Sequence, residues 1–328
     1  MQVNTSPENA NGRLVAVVVT YNRLEQLKTT VARLLSAAPR DLMHLLVVDN
    51  ASSDGTAAWL AEQTDERLVV RRSEANIGGA GGFELGMRVA MAEWSPDWVL
   101  LMDDDARPYP DALRRFHAED RSGYEAWSAA AYHPDGRICD MNRPWINPFW
   151  HKRAFFRTAF GGGRDGFHLN AADYAADAPL PIDGASFVGL FLSRRAVTLA
   201  GYPDGALFIY GDDVLYTLLL SKSGGRIAFD PALRFEHDFT TFEGAKQRFR
   251  PLWKCYYHHR NLLMVYRRAA GWLFYPILLV VLPKWALKIR DHKGEKMAFA
   301  KLMLRAVRDG LRRKRDVSHD VVVGWSKR

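Results

Sequence analysis

The stretch RLVAVVVTYNRLEQLKTTVARLL, residues 13–35, runs from an unbroken apolar, β-branched segment into one whose apolar residues fall at 24, 27, 31, 34 and 35. The first part reads as a strand buried on both faces, and the second as one face of a helix. The unit recurs. HLLVVDN (44–50) is followed by the turn SSDG and the helix-like TAAWLAEQ, RLVVRR (67–72) by GGFELGMRVAMAEW, and DWVLLMD (97–103) makes a fourth strand. Strands alternating with helices imply right-handed crossovers and a mostly parallel sheet covered on both faces. In such sheets a ligand sits at the carboxyl ends of the strands. Thr20-Tyr21-Asn22, Asp49-Asn50, the segment from Arg71 through Gly82, and Asp103-Asp104-Asp105 therefore converge on one crevice. The G-x-G-x-x-G pattern of dinucleotide readers does not fit, because TYNR follows the first strand and Glu84 stands where the last glycine belongs.

Three consecutive aspartates at the end of a buried strand are a solvated turn or a cation site. Crowded carboxylates beside an apolar strand are costly without compensating charge, and Mg²⁺ or Mn²⁺ is held by one or two carboxylates plus substrate phosphates. Asp103 and Asp105, two apart on an extended segment, can point the same way, which leaves Asp104 to turn elsewhere. The pair Asp212-Asp213 precedes the apolar VLYTLLL and reads either as a helix cap or as a carboxylate poised to take a proton. His237, in RFEHDF, is by itself an ordinary histidine or a ligand.

At 328 residues with 48% hydrophobic content, the chain buries a sizeable core in one large or two modest units. Cys139 and Cys255 lie far apart, give neither a disulfide framework nor a zinc spacing, and read as packing residues of a reducing compartment. The opening MQVNTSPENANGR has no apolar core of a secretory kind, so the expected location is the cytoplasm. The net charge of +8 is local: residues 284–328 carry 14 Lys+Arg against 5 Asp+Glu, which leaves the rest near neutral. Just before them, the uncharged AAGWLFYPILLVVLP (269–283) would reach about 22 Å as a helix, short of the ~30 Å hydrocarbon core. An apolar segment followed by Lys284, Lys288, Arg290, Lys293 and the RRKR of 312–315 fits the inner face of an anionic membrane. Elsewhere the chain has no basic face with interleaved aromatics, and nucleic acid is not an expected partner.

After residue 120 the pattern loosens into an aromatic, glycine-rich stretch. IDGASFVGLFLSRRAV (182–197) reads as strand, turn and helix start, ALFIYGDDVLYTLLLSKSGG as a helix ending near Gly224, and RIAFDPALRFEHDF as two short strands. With no repeat and no linker, the two halves are expected to share one core.

The ordered set VVVTYNR, VVDNASSDGT, NIGGAGG, MDDD, GDD and a later histidine resembles the family 2 inverting glycosyltransferases of the GT-A fold, an α/β fold, over roughly residues 13–240. The resemblance implies a nucleoside-diphosphate sugar in the first half, near Thr20, Tyr21, Asn22, Arg23, Asp49, Asn76, Gly78, Gly79, Asp103 and Asp104. It further implies Asp103, Asp105 and His237 as ligands of Mn²⁺ or Mg²⁺, and Asp213, or else Asp212, as the base. No covalent intermediate is expected. The implied organisation is a catalytic unit over 1–245, divided at 120–121 into donor and acceptor halves, and a helical, apolar-then-basic region over 246–328. NIGGAGGF with FIYGDD and YYHHRN (256–261) is similar to bacterial galactofuranosyltransferases, which use UDP-galactofuranose; rhamnosyltransferases using dTDP-rhamnose share much of this wording. Trp145, Phe149 and Trp150 are candidates to stack on an acceptor sugar, Gly184 and Ala185 to offer it backbone, and the basic tail points to a lipid-linked acceptor such as a polyprenyl diphosphate glycan of the cell surface. A metal-dependent phosphodiesterase or nucleotidyltransferase would use the same paired acids, whereas a non-catalytic glycan-binding protein would not need both acid clusters.

Overall fold

The computed structural model describes residues 12–238 and 248–326. Residues 1–11, on which most of the leader argument rests, and the expected boundary at 245–246 lie outside the described residues.

The first half alternates as its periodicity predicts: β1 (Leu14–Thr20), α1 (Leu24–Leu35), β2 (His44–Asp49), α2 (Thr56–Ala61), β3 (Leu68–Arg72), α3 (Gly78–Glu93) and β4 (Trp98–Asp103). β1 pairs in parallel with β2 and with β4, and β2 with β3. Every residue of β1 is buried, as a central strand covered on both faces requires.

The second half comprises β5 (Ala106–Pro108), α4 (Ala112–Ala118), β6 (Ala126–Tyr132), α5 (Lys152–Arg157), α6 (Ala171–Tyr174), β7 (Leu180–Ile182), β8 (Leu190–Ser193), α7 (Arg194–Ala200), α8 (Asp212–Lys222) and β9 (Ile227–His237). The sheet runs β3-β2-β1-β4-β8-β6-β9-β5, with β7 also on β9. β8 is antiparallel to both β4 and β6, and β5 and β7 are antiparallel to β9. The sheet is thus parallel through β4 and mixed beyond it, because parallel neighbours need long crossovers, and strand–helix alternation lapses there.

RIAFDPALRFEH is one strand, not two. Opposite β6 its register jumps from Asp230 to Arg234, so Pro231, Ala232 and Leu233 bulge out, an accommodation for a proline that has no N–H to donate. Past the bulge, His237 pairs with Ala106, one residue from Asp105. The expectation of a shared core holds: on one sheet face Val17 and Val19 of β1 pack with Phe187 and Tyr216, and on the other Val18 and Leu27 pack with Phe191 and Phe235.

Four helices close the described chain: α9 (Lys254–Ala270), α10 (Phe274–Leu287), α11 (Lys296–Arg312) and α12 (His319–Ser326). α9 packs on α8 and α11. The helical run Lys254–Asp291 is long and apolar enough, by length and composition, to cross a membrane. Its two halves differ, however: Tyr256, Arg260 and Asn261 of α9 are buried in protein, Gly271 breaks the run at φ 57°, and α10 exposes Leu279 (80%) and Val280 (70%).

Candidate active site

The carboxyl ends of β1, β2 and β4 open on a cavity of about 620 Å³ that α8 and the start of α9 close from the other side. Asp103, Asp104 and Asp105 all line it. Asp104 does not turn away: its Oδ2 accepts from Thr20 Oγ1 at 2.7 Å, and Arg23 reaches both Asp104 Oδ1 (3.3 Å) and Asp105 Oδ2. His237 Nε2 stands 3.1 Å from Asp105 Oδ1. Repulsion among the aspartates is therefore already offset by Arg23 and His237.

The titration of the cluster reflects these partners. Burial, then the charge of Asp105, raises Asp103 to about 7, and burial raises Asp104 to about 6. Burial would also raise Asp105, but the hydrogen bond and charge of His237 and the charge of Arg23 outweigh it and hold Asp105 low. Burial alone would lower His237; its bond to Asp105 leads the opposing effects that push it to about 10.

One ligand atom each from Asp103, Asp105 and His237 lies within 4.8 Å of the others. Two carboxylates and an imidazole suit a hard divalent cation such as Mg²⁺ or Mn²⁺, so the residues fit. Asn142 sets the imidazole. Its Nδ2 donates to Ser186 Oγ (2.9 Å), which aims its Oδ1 at His237 Nδ1 (2.8 Å) and keeps that nitrogen protonated, so Nε2 is the nitrogen that faces the aspartates.

The glycine-rich loop forms the opposite wall. Asn50 Oδ1 accepts from Ile77 N (2.9 Å), Asn50 Nδ2 donates to the Gly78 carbonyl (2.9 Å), and Asn76 Oδ1 accepts from Gly78 N (2.8 Å). Gly78 has φ 75°, and a Cβ there would fall 2.1 Å from the Phe208 carbonyl oxygen, so only glycine fits. This close approach ties the loop to the segment bearing Asp212 and Asp213.

Asp212 and Asp213 line the same cavity from the first turn of α8. Neither is the N-cap, which is Gly211; Asp213 Oδ1 accepts from Val214 N (2.7 Å). Burial raises Asp213 to about 6, and burial with the Asp213 charge raises Asp212 well above the carboxylate range. The Asp213 carboxyl thus lies where a general base near neutral pH is useful.

Residues 15–168 match the family model "Glycosyl transferase family 2". The galactofuranosyltransferase GlfT1 of Mycolicibacterium smegmatis is 32% identical over 210 residues, covering 64% of this chain and 65% of that protein. The polyprenol monophosphomannose synthase of the same organism is 31% identical over 171 residues, covering 50% of this chain and 61% of its own. Over residues 15–168 the chain is thus similar to the family 2 glycosyl transferases. It spans just under two thirds of the length of these curated relatives. The mannosyltransferase PcManGT of Pyrobaculum calidifontis, solved in complex with GDP-Man and Mn²⁺, superposes with a TM-score of 0.53 at 15% identity, covering 94% of this chain and 89% of that one. At that identity the likeness speaks for the fold, which is the GT-A arrangement.

The cavity gathers Thr20, Tyr21, Arg23, Asn76, Gly78, Gly79 and the three aspartates from the matched region, and Asp212, Asp213 and His237 from beyond it. Two of the expected nucleotide residues stand outside its lining. Asp49 is fully buried and committed to Arg72 (2.9 Å) and Ser52 N (2.9 Å), and Asn22, at φ 53°, accepts from Ser53 N (2.7 Å). Both shape the loops behind the cavity. The residues expected to meet the acceptor also lie outside the lining. Gly184 lies under the Trp145 ring, where a Cβ would come within 2.1 Å of ring carbon, so Gly184 and Trp145 are packing partners. Ala185 is buried in the core, Phe149 packs on the cluster around Trp145, Trp150 is outside the lining, and the segment instead presents Ser186, Phe187 and Val188.

Sequence reasoning missed Asn142, Trp253 and Lys254, which also line the cavity. Asn142 lies in the aperiodic aromatic stretch, where no pattern marks it. It assigned no task to Arg260 or Asn261 either. Both are buried: Arg260 donates to the carbonyls of Ala206 (3.2 Å) and Leu207 (2.9 Å), and Asn261 Nδ2 faces those of Leu207, Ile209 and Tyr210. They hold a segment in which Phe208 and Tyr210 have positive φ (69° and 70°), and so position the acids that follow it.

Proposed function

We propose that the protein is an inverting glycosyltransferase that moves galactofuranose from UDP-galactofuranose to a lipid-linked glycan of the cell envelope. The observation that carries this reading is one cavity with a cation triad and a glycine-rich loop on one side and a pair of raised-pKa carboxylates on the other. The name of GlfT1 favours galactofuranose; transfer of rhamnose from dTDP-rhamnose is the second reading, from the shared loop wording.

In this mechanism Tyr21, Asn76 and Gly79 receive the nucleotide, and Arg23 faces its phosphates. Asp103, Asp105 and His237 would hold Mn²⁺ or Mg²⁺, which when bound supplies Lewis-acid neutralisation of the departing diphosphate. Asp213, with Asp212 second, takes the acceptor hydroxyl proton. The acceptor oxygen attacks the anomeric carbon from the face opposite the diphosphate, and the carbon–oxygen bond to phosphate breaks with its electron pair on the nucleotide. The new glycoside has inverted configuration. Arg260 and Asn261 act one step back, by fixing the backbone ahead of the acids.

Exposed Trp272, Tyr275, Leu279 and Val280 beside the basic α11 support attachment to the inner membrane face through α10. Incubation with UDP- and dTDP-sugars and Mn²⁺, with the nucleotide product resolved, tests the reading. UDP released from UDP-galactofuranose is expected; UMP would mark a phosphodiesterase or nucleotidyltransferase instead.

A further inference from the structure

Asp212 lines two cavities. The second, of about 680 Å³, lies between α8, α9 and the end of α11. Its wall carries five cations, Lys222, Arg267, Arg268, Arg313 and Arg315, against the carboxylates of Asp204 and Asp212. Arg315 is paired with Asp204. Among the described residues Lys222, Arg268 and Arg313 have no carboxylate partner. Arg267 stacks on Phe274, 4.4 Å from the ring centre, and donates to the Leu311 carbonyl at 3.2 Å, while its buried Nε has no acceptor among the described residues.

A basic residue near a helix C-terminus is ordinary, since the dipole favours it. Here the last turns of α8 and α9 and the residues ending α11 bring five cations to one hollow against two carboxylates, an excess of positive charge that an entering anion would offset. Guanidinium groups in a fork geometry match phosphate oxygens. The hollow also adjoins α10: Arg267 lies over Phe274 and within 5.9 Å of the Tyr275 ring centre, at the root of the exposed apolar helix.

We propose that this second cavity holds the diphosphate of the lipid-linked acceptor, its lipid running out along α10 and its sugar reaching Asp212 and the donor cavity. The proposal rests on the glycosyltransferase reading of the first cavity. It gives Asp212 a location at the junction, with acceptor on one side and donor on the other.

Calorimetric titration of the full chain in EDTA with farnesyl diphosphate, kept below its aggregation concentration, tests it. Inorganic pyrophosphate, farnesol and phosphatidylglycerol vesicles serve as comparators. Farnesyl diphosphate is expected to bind, pyrophosphate more weakly, and farnesol not at all. In a parallel titration with Mn²⁺ in place of EDTA, saturating UDP should leave the binding intact. Arg268→Gln and Arg315→Gln should each weaken it about tenfold, the scale of one lost charge-assisted contact. Lys222→Gln, on the exposed end of α8, is a third variant should either fail to fold by circular dichroism. Equal affinity in the folded variants, equal binding of farnesol, displacement by UDP with Mn²⁺, or equal competition by the vesicles would each overturn the assignment, the last by making the hollow a headgroup site. UDP binding with Mn²⁺ separates the two readings: UDP bound without farnesyl diphosphate removes the second cavity alone, and neither bound removes both.

Discussion

The two cavities that meet at Asp212 handle charge in opposite ways. In the first, the excess charge is negative and the protein compensates it from within, through Arg23 and His237 on the Asp103–Asp105 cluster. In the second, the excess is positive and only Arg315 has a carboxylate partner among the described residues. A site that must be assembled around a cation needs acids held ready and kept from swelling apart, whereas one that captures an anion from a surface works best with its cations open. Charge alone does not say which kind of site a cluster is; the partners already in place do.

The sharpest challenge to that contrast is removal of the acids. Asp105→Ala and Asp213→Asn should each lower turnover by about 10²–10⁴, the range lost with a general base or its equal, in an assay of UDP release with Mn²⁺. In the wild type, kcat/KM should fall as pH drops below about 6, where Asp213 becomes protonated and can no longer accept a proton. A plateau extending to pH 4 would remove Asp213 from the role.

Asn142→Ala should weaken Mn²⁺ binding about 10–100-fold, measured by titration without substrate, since only the orientation of His237 is lost. Binding unchanged by that substitution would mean that the imidazole is set by packing alone. On the other side of the contrast, Leu279→Glu with Val280→Glu should reduce flotation with anionic vesicles severalfold, because each adds a charge to the face that would enter the interface. Unaltered flotation would assign membrane attachment to the basic residues only.

The smallest effect is on stability. Asp213 has its folded pKa raised to about 6, so its neutral form favours the fold; that contribution is complete below about pH 4 and is lost as pH rises through about 6. Asp213→Asn should therefore melt higher than the wild type at pH 8, by roughly 1–2 °C per kcal/mol regained, and equally at pH 4. Differential scanning calorimetry at both pH values would show it.

The first hundred residues could be read almost element by element, because β1, β2 and β4 are almost wholly buried apolar runs and α1 shows one apolar stripe. The acids at 103–105 and 212–213 were legible for a related reason: carboxylates beside apolar runs stand out. Asn142 was not, since a polar residue in an aperiodic stretch has no pattern to violate. Nor were the tasks of Arg260 and Asn261, whose acceptors lie some fifty residues earlier. The merging of two expected strands into β9 turned on a bulge that exists only against β6.

Local periodicity and side-chain chemistry, both carried along the chain, thus determined the alternating first half, the crevice at its strand ends and the acids that face it. Three-dimensional packing alone decided that Asp104 faces inward, that Gly184 is covered by Trp145, and that cations from three distant helix ends share a hollow with Asp212. The physical reason is distance: periodicity records which face of an element is buried, while partners brought together across dozens of residues are set by how the elements dock.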